Sequence, residues 1–139
     1  MKPIYCFTLF LSCLILFSCT SSEKSLKVKS IPLEGTNWNL YQIDGKAYSS
    51  EKKITLNFKE SDVKLTGEAP CNNYLGSYTH GGDIIILSQI ASTKKMCPDL
   101  EIETKYLSLL QSTSKFIILG TSLNLYDSSG KLILVFTSK

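Results

Sequence analysis

The chain has 139 residues, 43% of them hydrophobic, and a formal net charge of +3 in which every strong base is a lysine. Without guanidinium forks to grip phosphates and guanine edges, and with its lysines scattered over many turns, the composition argues against a nucleic-acid partner. There is no Walker loop or dinucleotide fingerprint, because the glycines of Thr79-His80-Gly81-Gly82-Asp83 lack a strand-to-helix context, and no cofactor is expected.

Met1-Lys2 precede an apolar run, PIYCFTLFLSCLILFSC, that ends at Cys19 and meets the polar TSSEKS. A basic start, an apolar core and a polar boundary form the layout of an export signal. The run is somewhat short of the roughly 20 apolar residues that a membrane-spanning helix needs. Leu16-Phe17-Ser18-Cys19 resembles a bacterial lipobox, with Phe17 bulkier than the usual occupant. Residues 1–18 are therefore expected to be removed as a lipoprotein signal peptide, leaving Cys19 as the lipid attachment site and the protein held on a membrane of the bacterial cell envelope. Residues 19–32 follow as a lipidated start and a lysine-rich polar tether that cannot bury a core. Residues 33–137, about 105 in number, suit one compact domain.

Within that domain most segments alternate with period two, as half-buried strands do. Residues 36–44 put Trp38 and Leu40 on one face and end in an Asp44-Gly45 turn. Residues 53–59 point Ile54, Leu56 and Phe58 one way, and residues 63–68 point Val63 and Leu65 inward, with Glu60-Ser61-Asp62 as the turn of a hairpin. Tyr74, Gly76 and Tyr78 alternate with Leu75, Ser77 and Thr79. The run at 83–90 is apolar on both faces and predicts either the most enclosed strand or one that bends across the core.

The period then changes. Leu100, Glu103, Leu107 and Leu110 share a helical stripe, with Ile102, Tyr106 and Leu109 beside it. Pro98 ahead, Asp99 as N-cap, and Glu101 and Glu103 in the first turn predict a helix over about 99–112. Strands at 115–119, 123–127 and 131–136 close the chain. The expected fold is α+β and mostly antiparallel: a curled sheet or partly open barrel with one helix packed against it.

CNNYLGSY (71–78), IASTKKMCPD (90–99), ETKYLSLL (103–110) and LNLYDSSGKLILVF (123–136) together resemble the META domain, the family of the HslJ heat-shock protein and of many bacterial envelope lipoproteins. LEGTNWNLYQIDGK (33–46) fits its first strand. The residues that carry the motif are Cys71, Asn72, Asn73, Tyr74, Gly76, Tyr78, Thr93, Cys97 and Pro98; Pro70 stands where the family usually has glycine. The resemblance implies a small β-rich fold with a helix, no established enzymatic activity, and an association with stress tolerance and envelope integrity.

Cys71 has three readings. Paired with Cys97, the even count in an exported chain makes a disulfide, worth roughly 3.5 kcal/mol for a closed loop of about 27 residues. As a nucleophile it would need His80 within hydrogen-bond reach, a strand's length away. As a zinc ligand with His80, Asp83 and Cys97 it lacks any closely paired element to seed the site. The disulfide is the simplest of the three, and no catalytic or metal residue is expected. Trp38, Tyr41, Tyr74 and Tyr78 read as core or cross-strand residues, or as the lining of a cleft. Lys94-Lys95 read as a solvated turn or a contact to anionic headgroups. The function expected is a non-enzymatic, membrane-anchored interaction or structural module that meets another envelope protein. The alternative is a carrier of a small apolar ligand or lipid in a partly open barrel.

Overall fold

The structure, a computed structural model, describes residues 29–138; the expected signal at 1–18, the lipid site Cys19 and the tether as far as residue 28 lie outside the described residues. Nine strands and one helix follow in order: β1 (Asn37–Ile43), β2 (Lys46–Ala47), β3 (Thr55–Lys59), β4 (Lys64–Glu68), β5 (Asn73–Gly81), β6 (Ile84–Ser92), α1 (Leu100–Gln111), β7 (Thr113–Leu119), β8 (Ser122–Asp127) and β9 (Leu132–Thr137). Each strand pairs antiparallel with the next, except that β2 folds back on β1 and β1 pairs directly with β3. β1 also pairs with β9, Leu40 opposite Phe136 and Ile43 opposite Leu134. The curled sheet or partly open barrel is thereby resolved as a closed eight-stranded barrel, with β2 as an extra hairpin arm. Local alternation cannot reveal closure, which depends on the first and last strands finding each other.

The inward positions of the strands fill the barrel axis. Trp38, Leu56, Leu65, Ile85, Leu123, Leu125, Leu134 and Phe136 are all fully buried. Eight strands enclose a space just wide enough for side chains, and here side chains occupy it. Trp38 also donates its indole N–H to the carbonyl of Leu33 at 2.9 Å, pinning the segment ahead of β1 across one barrel end. Tyr41, by contrast, is the extra residue of a bulge against β9 and points outward, 57% exposed.

Two expectations need correction. The run at 83–90 is not the most enclosed strand: Ile85 and Leu87 face inward, but Ile84 and Ile86 stand on the outer face at 58% and 60% exposure. β6 has β5 on one side and meets β7 at a single registered pair, Ile84 with Lys115, and nothing among the described residues buries Ile84 or Ile86 on its outer face. Val63 is not inward either. It ends the 3-10 turn of Glu60–Asp62 in a left-handed conformation (φ 51°) and projects into solvent, and the strand resumes only at Lys64. Asp99 holds the N-cap position of α1 without a side-chain cap bond; its carboxylate instead lies 3.7 Å from the Lys52 ammonium.

The up-and-down path gives the barrel two chemically different ends. At one lie the start of β1, the 3-10 turn and the β5–β6 and β7–β8 turns. Here the incoming chain is fastened, Ser30 Oγ donating to the Ile118 carbonyl at 3.0 Å and the Ile31 N–H to that of Gly120 at 3.2 Å. At the other end lie the β4–β5 loop, the segment from β6 into α1, α1 itself and the β8–β9 turn. Asp44 ties this end together, accepting from Lys105 of α1 at 2.9 Å and from Lys131 at 2.7 Å.

Those two ammonium groups, Lys131 first, hold the Asp44 carboxyl down at about 2, from a usual value of 3.8. A carboxyl depressed in the folded state contributes stability that is present above its unfolded value and is lost as pH falls through the folded one. Asp44→Asn is therefore expected to lower the melting temperature at pH 7, with the gap to the native chain closing as pH falls from about 4 to below 2. Added salt should narrow the same gap at pH 7, because the groups are solvent-exposed.

Candidate functional site

The helix-capped end carries the most concentrated chemistry among the described residues. Cys71 and Cys97 are joined as a disulfide with Cα atoms 5.7 Å apart, which fastens the loop before β5 to the segment before α1. Beside it, Asn72 is buried at 3% exposure and Glu103 at 2%. Glu103 Oε2 accepts the backbone N–H of Cys71 at 2.8 Å and of Asn72 at 3.0 Å, while Oε1 accepts from Asn72 Nδ2 at 2.6 Å. Asn72 Nδ2 also donates to the Lys95 carbonyl at 3.1 Å. Its Oδ1 accepts the Thr93 hydroxyl and the Lys95 N–H, each at 2.7 Å. All four hydrogen-bonding positions of the asparagine amide are used, and the carboxylate is met by three donors. A buried polar group is tolerable only when satisfied in this way.

One turn further along α1, the Tyr106 hydroxyl lies 2.6 Å from that of Tyr74. Tyr74 gives its own proton to the Thr55 carbonyl at 2.6 Å, so Tyr106 must be the donor within the pair. Burial pushes both phenols well above the usual tyrosine range. Both stay protonated at any physiological pH and serve as fixed hydrogen-bonding posts. Gly67 on β4 makes room for them: a Cβ there would collide with the Thr55 carbonyl and the Tyr74 phenol. Neither a strand carbonyl nor a wedged ring yields easily. Gly67→Ala is expected to cost about 1–3 kcal/mol, read as a lowered denaturant midpoint at unchanged slope.

A second cluster sits at the opposite end. Glu34 Oε1 accepts the Tyr78 hydroxyl at 2.8 Å and lies 3.0 Å from His80 Nε2. The His80 ring stacks on Tyr78 with centroids 6.0 Å apart and meets the edge of Phe116 at 5.9 Å. The bond from Tyr78, then that from His80, holds the Glu34 carboxyl below its usual range, and burial followed by the Glu34 carboxylate raises the Tyr78 phenol. His80 is thus far from Cys71, at the other end of β5, and thiol and imidazole do not meet.

The family model of the META domain matches residues 31–139. The chain belongs to the META domain family. Two structures solved by NMR share the fold. One, a protein from Burkholderia xenovorans, is 25% identical, with a TM-score of 0.62 over 77% of this chain and 83% of its own. A second protein is 20% identical, with a TM-score of 0.60 over 76% of this chain and 90% of its own. A search of curated proteins finds no match.

The motif residues of this META domain divide by location. Cys71, Asn72, Thr93 and Cys97 come together in the network, with Pro98 leading from it into α1, while Tyr74 is bonded to Tyr106 and the Thr55 carbonyl instead. Asn73 contributes its backbone, its carbonyl accepting the Thr93 N–H at 3.1 Å, while its side chain is exposed. Gly76 faces the β6 bulge, where a Cβ would come 3.0 Å from the Ser88 carbonyl oxygen. Tyr78 points to the opposite end and belongs to the Glu34 cluster. Pro70 is buried in the loop, which closes through the Ala69 N–H on the Asn72 carbonyl at 2.8 Å.

Sequence reasoning missed Glu103 as a partner of the motif. Its signal was present: a carboxylate on the core-facing stripe of α1, where Glu103, Tyr106 and Leu110 are the buried residues. A charge in that position requires donors waiting for it. Glu34 gave no comparable signal, since it lies in an irregular segment ahead of β1.

Proposed function

We propose that this META domain is a non-catalytic module, anchored to a membrane of the bacterial cell envelope through lipid on Cys19, that works by contact with another envelope protein. The observation that carries this reading is that the reactive groups of the motif are spent on one another. Both thiols are in the disulfide, the Glu103 carboxylate and the Asn72 amide are saturated internally, and the phenols of Tyr74 and Tyr106 are held protonated. What remains for function is the surface that this network shapes.

A disulfide persists in oxidising compartments such as the bacterial periplasm, which agrees with export. The first described residues are fastened beside the β7–β8 turn, and Cys19 stands some ten residues earlier, no more than about 35 Å of extended chain. An anchor at Cys19 would therefore keep the Glu34–His80 end toward the bilayer and leave the disulfide end facing outward. Stress tolerance, which the family resemblance implies, would follow from what that outer end holds.

Labelling cells with radioactive palmitate tests the anchor. The full chain should carry label and sediment with membranes, whereas Cys19→Ser should lose both. An unlabelled, soluble native chain would sink the proposal.

A further inference from the structure

The segment between β6 and α1 combines rigidity with exposure. Its backbone is held at Thr93 by the Asn73 carbonyl, at Lys95 on both its N–H and its carbonyl by the Asn72 side chain, and at Cys97 by the disulfide. Between those points the side chains project outward. Met96 is 83% exposed, the most exposed large hydrophobic among the described residues, with Lys94, Lys95 and Pro98 exposed around it. Neither Lys94 nor Lys95 forms an ion pair among the described residues, and they are adjacent, so their charges add at one point of the surface.

On a backbone fixed in this way, an exposed thioether and two ammonium groups without ion pairs present an apolar tip and positive charge side by side, and a solvated turn needs no buried amide and carboxylate to fix its shape. We propose that Lys94-Lys95-Met96 is a pre-organised docking loop for another protein, and that the partner presents carboxylates flanking an apolar pocket that receives Met96. The loop's conformation is set before binding, so ordering it costs little at the moment of contact. Methionine supplies an adaptable apolar anchor, and the lysines supply orientation and a faster encounter with an acidic surface. The loop lies at the barrel end opposite the fastening of Ser30 and Ile31, away from any lipid headgroups that the anchor would bring near. This inference rests on the reading of the domain as an interaction module and names the surface and the chemistry of the partner.

A photo-crosslinking amino acid placed at position 96 of the full chain in its native cells tests it, with position 61, in the turn at the other end, as the control. The expected result is one predominant protein adduct at 96 and none at 61, with an acidic peptide at the crosslink. Lys94→Glu/Lys95→Glu should reduce that adduct at least about tenfold through like-charge repulsion. The same variant should melt like the native chain, because the Asn72 bonds use only the backbone of Lys95. Adducts at 61 but not at 96 would overturn the docking loop and leave the interaction module standing. No protein adduct at either position would overturn both. A lipid adduct at 96, or a protein adduct that survives the charge reversal, would overturn the acidic-partner assignment.

Discussion

Glu103→Ala is expected to destabilise the domain by about 3 kcal/mol or more, because each buried donor left unpaired costs roughly 1–3 kcal/mol. The Asn72 N–H is the most exposed to this penalty, being fully enclosed, and the Cys71 N–H is next. Asn72 Nδ2 keeps the Lys95 carbonyl, so it suffers least. Glu103→Gln separates the contributions. Its carbonyl oxygen can still accept both backbone N–H groups, but its amide then sets a donor against Asn72 Nδ2, and a loss of about 1–2 kcal/mol is expected. Chemical denaturation reads the magnitudes, and amide exchange locates them. Cys71 and Asn72 should lose protection in Glu103→Ala by more than the β-strand core does. A Glu103→Ala variant within about 0.5 kcal/mol of the native chain, the range of ordinary surface substitutions, would show that the carboxylate holds nothing.

The reason for expecting so much from one residue also explains what the sequence could convey. Alternation marked the inward faces of β1 and β3 correctly, and Leu65 of β4, because each strand buries one face against a shared axis. It misread β6, whose isoleucines occupy both faces although only one is covered. Periodicity reports which residues could be buried, and coverage depends on neighbours that are distant in the chain. Val63 failed for a local reason: the 3-10 turn before it uses a left-handed residue to re-enter the sheet, and a β-branched residue is an unfavoured choice there. In the candidate site the cysteine pair was legible from its even count and the expected compartment. The partnership of Asn72 with Glu103 was not, because it spans 31 residues and joins a loop to a helix. An asparagine in a loop signals by itself only that it can satisfy nearby backbone, as the bonds of Asn72 to Lys95 do.

Loss of the disulfide is the other large effect. Cys71→Ala/Cys97→Ala should cost about 3.5 kcal/mol if the bridge acts by restricting the unfolded chain, given a sequence separation of 26. The same loss should appear on reduction of the native chain, measured as the difference in unfolding free energy with and without reductant. Bridge and carboxylate are not independent, however. Glu103 binds the backbone N–H of Cys71 itself, so the disulfide helps hold in place a donor that the carboxylate requires. Groups that share a partner commonly show coupling of about 0.5–3 kcal/mol. The triple variant, with Glu103→Ala added to the paired cysteine replacements, should therefore lose less than the sum of the separate losses. Once the loop is free to leave, the carboxylate has less to hold, and part of its contribution has already gone. Strict additivity would instead mean that the bridge acts only on the unfolded state and that Glu103 fixes the native loop unaided. In that case the loop at 93–97 should keep its shape in reducing conditions, and its docking surface with it.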